Sequence, residues 1–443
     1  MLEYTTLLDV KWLLDFALGN VGLPGHTLRD GRPILPAWQD VPPEAVVELT
    51  DLRASTMSGF LPVAVLSYGW ASKAHPDPSG EQLQQLIPAL KVLAQSCDTG
   101  IGSSKEAQRG KPKAWGLLWD FAAFPQRGHT SGRYDEAHDD RTPEQRERFE
   151  RGLRKVNVWY SAESSVTLLL DTPMPEGAEN RTPITRRGWC VTERRLSSIT
   201  KGVGACLALS LAPAGMTAHG LTLKRAGGAG DSGVMSFMEL VQACVATRTA
   251  PLSPEVFEQR MTDGMAAERA TRGSGISFTD STDATSVCIP QYTEAFLRLM
   301  GRRRLLKFGG CCWGADQLAD LAASLEYAHA HEVDQRAVYL ALGHNRLAGA
   351  VTPLVRALSS GALPNLEVLD LQHSGLTDDD ALALAALLDS GRMVNLRVLI
   401  IIAHKLSATG VAALTAAYRS GASPSLKRLD GTSIAHPTFV LTG

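Results

Sequence analysis

A repeat of about thirty residues in the C-terminal third constrains the fold of this 443-residue chain more than any other feature. Three segments keep the same register, and they span residues 337–364, 365–394 and 395–424. Their leucines form two columns, which are Leu340, Leu369, Leu399 and Leu347, Leu376, Leu406. Alternating apolar residues in LEVLDL predict a half-buried strand, and LTDDDALALAALLDSG then changes to helical spacing. One strand–helix unit cannot bury its own apolar face, so the pattern predicts stacked units that share a core.

Turn and cap residues keep the same register as the leucines. In the second unit Thr377 or Asp378 is expected to cap the helix, and Gly391 is expected to end it. Partial units precede and follow the three, one beginning near Arg303 and one covering 425–434. The period and the long helix resemble the ribonuclease-inhibitor-like subclass of leucine-rich repeats. That resemblance implies a short solenoid over 303–434 whose surface binds a protein partner.

No metal site is predicted from the histidines and cysteines. His344, His373 and His404 align after successive strands, where they are either a metal-binding ladder or surface polar residues at an equivalent turn; we adopt the second interpretation. The seven cysteines include no CxxC pair, so neither a zinc ribbon nor a redox dithiol is indicated. Their irregular spacing favours a reducing compartment.

Charge and hydropathy limit the classes of binding partner and the cellular location that the sequence predicts. The formal net charge of −2 gives no field that would attract nucleic acid or an anionic membrane. The N-terminal apolar run is interrupted by charged residues, which is atypical of a signal peptide, and no apolar stretch is long enough to span a bilayer. We therefore expect a cytoplasmic protein with no nucleic-acid or membrane partner.

The N-terminal half alternates strand and helix patterns. Apolar runs predict strands at 61–68, 115–121 and 164–170, with helices at 80–95 and 141–162. This order predicts an α/β fold with a mostly parallel, three-layer sheet. Ligands of such sheets bind outside the carboxyl ends of the strands. Polar and aromatic residues fall there: Ser67, Tyr68 and Trp70 after the first strand, and Asp120 at the tip of the second.

Short motifs in this half resemble a known domain. They are LSYGW (66–70), LWDFAAFPQ (118–126), SVTLLL (165–170) and RRGWCVTERRLSS (186–198). Their order resembles the fungal heterokaryon-incompatibility domain, a relative of the Toll/interleukin receptor (TIR) domain. GWCVTE (188–193) is similar to the Trp-Cys-x-x-Glu box of TIR domains, whose glutamate cleaves the nicotinamide–ribose bond of NAD in the TIR enzymes. The resemblance implies a TIR/flavodoxin-like sheet, NAD or NADP as substrate rather than cofactor, and Glu193 as the catalytic carboxylate.

Such a cleavage needs a carboxylate that stabilises an oxocarbenium-like transition state. Arg186 and Arg187 are expected to hold a pyrophosphate, and Tyr68 or Trp70 to stack on a ring of the substrate. Structural alternatives stay open for the same residues. Glu193 can pair with an arginine, Asp120 can cap the following turn, and Ser67 can be a turn residue.

The sequence thus predicts a five-part organisation. The parts are an N-terminal extension (1–60), a heterokaryon-incompatibility/TIR-like α/β domain (61–212), a helical connector (213–302), leucine-rich repeats (303–434) and a tail (435–443). This pairing resembles innate-immune or incompatibility receptors, which implies a signalling or defence role with NAD(P) cleavage or self-association as the output. The alternative is a non-catalytic adaptor in which both domains bind proteins.

Overall fold

The computed structural model describes residues 3–54, 60–101, 111–132, 134, 139–212, 216–217, 220–221, 235–433 and 439–442. It is an α/β structure with two compact units. The first comprises 1–194, 204–246 and 263–287, and the second comprises 195–203, 247–262 and 288–443. The segment 213–302, predicted as one connector, is therefore shared between the two units.

The first unit is built on a five-stranded sheet. Its strands are β1 (Leu8–Asp9), β2 (Val63–Ser67), β3 (Gly116–Leu118), β4 (Val166–Leu169) and β5 (Cys206–Ala208). The spatial order is β1-β3-β2-β4-β5, with β2 to β5 parallel and β1 antiparallel to β3. Ala64 lies opposite both Leu117 and Val166, which fixes the register of the three central strands. The parallel arrangement expected from the alternating pattern is confirmed.

Helices connect and cover these strands. They are α1 (Val10–Ala17), α2 (Leu49–Ala54), α3 (Glu81–Thr99), α4 (Asp120–Ala123), α5 (Pro143–Ser161), α6 (Gly188–Ser198) and α7 (Phe237–Cys244). Helix α8 (Pro254–Ala270) is divided between the two units after residue 262. All residues of β2, β3, β4 and β5 are buried, as in a parallel sheet with both faces covered. One core cluster joins strand residues to the apolar sides of α1, α3 and α7.

Local sequence explains where several of these elements begin. Helix α5 starts at Pro143 behind a capping box, in which Thr142 and Gln145 satisfy each other's backbone N–H groups. The predicted strand 115–121 ends early because the chain turns into α4 at Asp120. Residues 1–60, predicted as an extension, supply β1 to the edge of the sheet.

Shorter elements complete the first unit and its boundaries. Strands β6 (Met216–Thr217) and β7 (Gly220–Leu221) form a two-stranded antiparallel sheet. Single-turn 3-10 helices occupy Trp38–Asp40, Pro43–Ala45, Ile184–Arg186, Val203–Ala205 and Leu209–Leu211, and a π-helical turn covers Ala284–Cys288.

The second unit carries a six-stranded sheet. Its strands are β8 (Leu305–Lys307), β9 (Tyr339–Ala341), β10 (Val368–Asp370), β11 (Val398–Leu406), β12 (Arg428–Ser433) and β13 (Phe439–Thr442). Strands β8 to β12 are parallel neighbours in chain order, and β13 closes the edge antiparallel to β12. Residues 435–443 were expected to be a tail, but 439–442 pair with this sheet.

The leucine columns of the sequence define the register of this sheet. Leu340, Leu369 and Leu399 lie opposite one another, and the column extends to Leu306 and Leu429. All five are buried, with at most 1% of each residue exposed. The second column is buried as well, because Leu347, Leu376 and Leu406 are no more than 2% exposed. Burial of one shared core explains why the repeat keeps its register.

Helices separate these strands along the chain. They are α9 (Ile289–Arg302), α10 (Ala315–Ala330), α11 (Thr352–Ser359), α12 (Asp378–Asp389) and α13 (Ala408–Ser420). Thr377 caps α12 through a capping box with Asp380, and Gly391 follows its end at a φ of 67°. Pro290 occupies the first turn of α9, where a missing N–H costs nothing. Within the described residues, no helix combines the length and hydrophobicity that a bilayer crossing requires.

Candidate functional site

The residues predicted for the site converge at the carboxyl edge of the first sheet. Ser67 ends β2, Tyr68 and Trp70 follow it, and Asp120 begins α4 two residues beyond the end of β3. Because β2 and β3 are parallel neighbours, their carboxyl ends meet at one edge of the sheet. Glu193 reaches the same edge from α6, through a direct contact with Ser67.

Glu193 is held by neutral groups. The Ser67 hydroxyl donates to its Oε2 at 2.6 Å. The buried Tyr160 phenol of α5 also lies within hydrogen-bonding reach of the carboxyl, and it donates to the Leu66 carbonyl at 2.8 Å. One turn before Glu193, the Cys190 thiol donates to the Tyr68 carbonyl. Among the described residues no ion pair involves Glu193, so the predicted alternative of an arginine partner is not realised.

A second carboxyl, that of Asp120, is fixed beside the first. Its Oδ1 accepts hydrogen bonds from the Tyr68 hydroxyl at 2.5 Å and from the Phe121 N–H at 2.7 Å. Its Oδ2 accepts from the Trp70 indole at 3.2 Å. Asp120 is the first residue of α4 and bonds the N–H of the next residue, and α4 has no side-chain cap hydrogen bond, so the predicted capping role is not observed. The two aromatic donors place Asp120 in the candidate site.

Burial dominates the electrostatics of both carboxyls. It raises the pKa of Glu193 to about 8, hydrogen bonds from Ser67 and Tyr160 oppose the rise, and the charge of Asp120 adds to it. Burial also raises the pKa of Asp120, against the bonds from Tyr68, Trp70 and Phe121. Within the described ranges neither carboxyl bonds to a cationic side chain, and two neighbouring carboxyls with raised pKa values are typical of functional sites.

The site keeps some contact with solvent. Glu193, Asp120 and Trp70 are each partly exposed, whereas Ser67 and Tyr68 are buried. Two surface depressions of the first unit, of about 440 and 430 Å³, lie elsewhere. The first is lined by α1 and α3, and the second by Tyr4, Trp38 and the start of α5. Neither of these two depressions is lined by Glu193, Ser67 or Asp120.

Arg187 has a different environment from the one expected of a pyrophosphate ligand. Its Nε, Nη1 and Nη2 donate to the carbonyls of Thr182, Trp70 and Asn180, at 2.7, 2.6 and 2.8 Å. These bonds tie the segment after β2 to the segment before α6. Gly69 permits the close approach, because a Cβ there would lie 2.7 Å from the Nε of Arg187.

Arg186 is also engaged, by the segment that follows α8. Its Nη1 donates to the Gly273 carbonyl. The Ser277 N–H donates to the Arg186 carbonyl at 2.8 Å, and the Gly188 N–H donates to the Ser277 carbonyl at 2.9 Å. Phosphate binding by either arginine would require these contacts to change, so that role stays a prediction.

Tyr160 and Cys190 were not predicted as site residues. Tyr160 is buried on α5, and its hydroxyl reaches the site. The signal was the position of a tyrosine, a residue with a polar end, on an otherwise apolar face. Cys190 is buried as expected for its residue type, and its thiol contacts the backbone next to Ser67.

Two members of the histidine column in the second unit contact each other. The rings of His344 and His373 stack with centroids 4.6 Å apart, and both residues have a positive φ, of 59° and 52°. The side chain of His404 lies outside the described residues. Within the part of the chain that the structure describes, no group of His, Cys, Asp and Glu is arranged to hold a metal ion.

Comparison with known proteins adds no assignment. No protein-family model matches this chain, and no curated protein matches it either.

Proposed function

We propose that the first unit cleaves NAD or NADP at the nicotinamide–ribose bond, as a TIR- or heterokaryon-incompatibility-like domain of a cytosolic signalling or defence protein. The observation that carries the proposal is the convergence of Glu193, Ser67 and Asp120 at the carboxyl edge of a parallel sheet. Five of the seven residues selected from sequence motifs meet there, as the resemblance to TIR enzymes requires.

Each part of the site has one role in the proposed cleavage of the nicotinamide–ribose bond. The bond between ribose C1′ and the pyridinium nitrogen breaks, and its electron pair returns to the nitrogen, so nicotinamide leaves as a neutral molecule. Positive charge then develops on the ribose, and the Glu193 carboxylate stabilises it until water adds to C1′ and loses a proton. Ser67 orients the carboxylate through the bond to Oε2. The partly exposed Trp70 is the aromatic surface for the departing ring.

The second unit is proposed as a leucine-rich-repeat surface that binds a protein. Strand β8 exposes both residues that flank the buried Leu306, and one of them, Leu305, is 44% exposed. Exposed apolar residues on an ordered sheet are suited to protein recognition. The proposal also includes self-association, in which copies of the chain bind each other through the first unit.

The test measures nicotinamide release from NAD and NADP by the purified full chain and by Glu193→Gln. A matched control is Glu176→Gln, because Glu176 is an exposed glutamate of the same unit. We expect release by the wild type and by Glu176→Gln, and a loss of at least about 100-fold in Glu193→Gln, which removes the transition-state charge partner. Equal release by all three proteins, or none by any, would contradict the proposal.

One observation favours the adaptor as a second candidate. The two arginines expected to hold a pyrophosphate donate to backbone carbonyls instead, and Arg187 does so through Nε, Nη1 and Nη2. An adaptor requires no turnover, and its binding to a protein partner would be unchanged in Glu193→Gln.

A further inference from the structure

Arg187 joins the loop after β2 to the segment that precedes α6. Its Nε and Nη2 donate to the carbonyls of Thr182 and Asn180, and its Nη1 donates to the carbonyl of Trp70 at 2.6 Å. Only 8% of the residue is exposed. A planar guanidinium presents several N–H groups in a rigid arrangement, so it can hold several carbonyls at once, which an ammonium group does less well. Arg187 therefore fixes the position of the Trp70 backbone.

Two further contacts hold the same loop against the start of α6. The Cys190 thiol donates to the Tyr68 carbonyl. Gly69 lies against the guanidinium, and a Cβ there would be 2.7 Å from the Nε of Arg187. A side chain at position 69 would push the guanidinium away from its carbonyl partners. The loop and the start of α6 therefore keep one relative position while these contacts are intact.

This relative position determines how the candidate site is assembled, because its two carboxyls depend on different elements. Glu193 lies on α6. Asp120 is bonded to the loop, through the Tyr68 hydroxyl and the Trp70 indole. Movement of the loop relative to α6 would therefore change the distance between the two carboxyls. Displacements of about 1 Å can lower the rate of a reaction by about 100-fold when it depends on preorganised groups.

We propose that Arg187 is a positioning residue for the proposed cleavage and not a ligand of the substrate. It holds the loop that carries Trp70 against α6, while its Nε, Nη1 and Nη2 are bonded to backbone carbonyls. The part of this inference that concerns the reaction rests on the proposed function. The part that concerns the position of the loop rests on the contacts of Arg187 alone.

Steady-state cleavage of NAD by the full chain tests the role of Arg187 in the reaction. Arg187→Lys keeps the positive charge but replaces the planar group by a single nitrogen. We expect kcat to fall by about 10- to 100-fold and KM to change by less than about threefold, because misplaced groups slow the chemical step. A raised KM with an unchanged kcat would identify a substrate ligand and overturn the inference, and so would two unchanged constants. Arg181→Lys is the control, since Arg181 is an exposed residue of the same segment.

Alkylation of Cys190 by iodoacetamide, followed by peptide mass spectrometry, measures the position of the loop without any cleavage. The buried Cys190 thiol contacts the Tyr68 carbonyl, and Cys244 is a buried thiol on α7 of the same unit. In Arg187→Lys we expect Cys190 to be labelled at least about tenfold faster and Cys244 at the wild-type rate, because a local opening exposes only the first thiol. Equal acceleration of both thiols would indicate general unfolding and overturn the positioning role. Unchanged labelling of Cys190 would overturn it too.

Gly69→Ala is a second variant, and it keeps Arg187. The added methyl group is expected to push the guanidinium from its carbonyl partners, so kcat should fall and Cys190 should be labelled faster, as in Arg187→Lys. Gly177→Ala is expected to behave as the wild type, because a Cβ there meets nothing within 4 Å. If the wild type cleaves no NAD but Cys190 is labelled faster in both variants, the proposed function fails and the role in holding the loop stands. NAD cleavage with none of these changes would leave only the proposed function standing.

Discussion

Ser67 and Glu193 are separated by 126 positions in the chain, and their side chains share a hydrogen bond of 2.6 Å. Ser67 is the last residue of the central strand β2, and Glu193 lies in the middle of α6. The bond links the centre of the sheet to the helix that bears the proposed catalytic carboxyl.

Removal of the Ser67 hydroxyl is expected to raise the pKa of Glu193 further, because the bond from Ser67 lowers that pKa. In Ser67→Ala, nicotinamide release should decline and its pH profile should move to higher pH. A profile of the rate constant from pH 6 to pH 10 measures the change. An unchanged profile would mean that Ser67 does not influence the carboxyl. A double-mutant cycle of Ser67→Ala and Glu193→Gln, measured by urea unfolding, is expected to give a coupling of ~1 kcal/mol in the free energy of unfolding.

The stability of the first unit is expected to depend on pH through Glu193. Its pKa is raised from 4.5 to about 8 on folding, so the folded state holds the proton more tightly than the unfolded state. The associated stabilisation is complete below pH 4.5 and is lost as the pH rises through about 8. Relative to Glu193→Gln, which does not titrate, the wild type should lose on the order of a few kcal/mol between pH 5 and pH 8, with solvent contact reducing the amount. Urea unfolding of both proteins at pH 5 and pH 8 tests this prediction. If the difference between their free energies of unfolding is the same at both pH values, the prediction is refuted.

Tyr68→Phe removes the 2.5 Å bond to Asp120 while keeping the ring that packs against Trp119. We expect a loss of ~1–3 kcal/mol in the free energy of unfolding, because a carboxyl oxygen loses its phenolic donor. The pKa of Asp120 should rise, since the bond from Tyr68 lowers it. Urea denaturation gives the first quantity, and carboxyl chemical shifts from NMR give the second. If Tyr68→Phe is as stable as the wild type and the pKa of Asp120 is unchanged, the bond contributes neither to stability nor to that pKa.

Gly275 sustains the close packing of the segment that contacts Arg186. A Cβ at this position would lie 2.0 Å from the Gly264 carbonyl oxygen and 2.5 Å from the Glu268 nitrogen, both backbone atoms of α8. Gly275→Ala is therefore expected to cost ~2–3 kcal/mol in stability, since backbone cannot move aside as a side chain can. Gly177→Ala is the control, because a Cβ there meets nothing within 4 Å. Similar melting temperatures for Gly275→Ala and Gly177→Ala would contradict the close packing around Gly275.

Asn345 is expected to be essential to the second unit. Its amide donates to the Phe308 and Leu342 carbonyls, each at 2.8 Å, and its oxygen accepts from the Trp313 N–H at 3.0 Å. Asn345→Ala leaves these buried groups without partners and should cost ~3–5 kcal/mol. Asn395→Ala, which removes one exposed bond to the Pro364 carbonyl, should cost less than ~1 kcal/mol. Comparable urea midpoints for the two variants would contradict the assigned role.

Much of the second unit was predictable because its signal is local and repeated. The column of Leu340, Leu369 and Leu399 follows from the repeat in the sequence, and the same residues lie opposite one another in the sheet. The cap at Thr377 follows from residue types within one turn of the helix. The strand β13 was not predicted, because the partner that makes Phe439–Thr442 a strand is β12 and not a local pattern.

The sequence by itself determined the alternation of strands and helices, the leucine columns, and the placement of Ser67 and Asp120 near strand ends, because each depends on neighbours close in the chain. Tertiary structure alone decided what those residues contact. The donation of Arg187 Nη1 to the Trp70 carbonyl, 117 positions away, the approach of Tyr160, and the rise of the Glu193 pKa to about 8 depend on groups from separate elements and on exclusion of water. Desolvation and hydrogen bonding act through space, so spacing along the chain does not encode them.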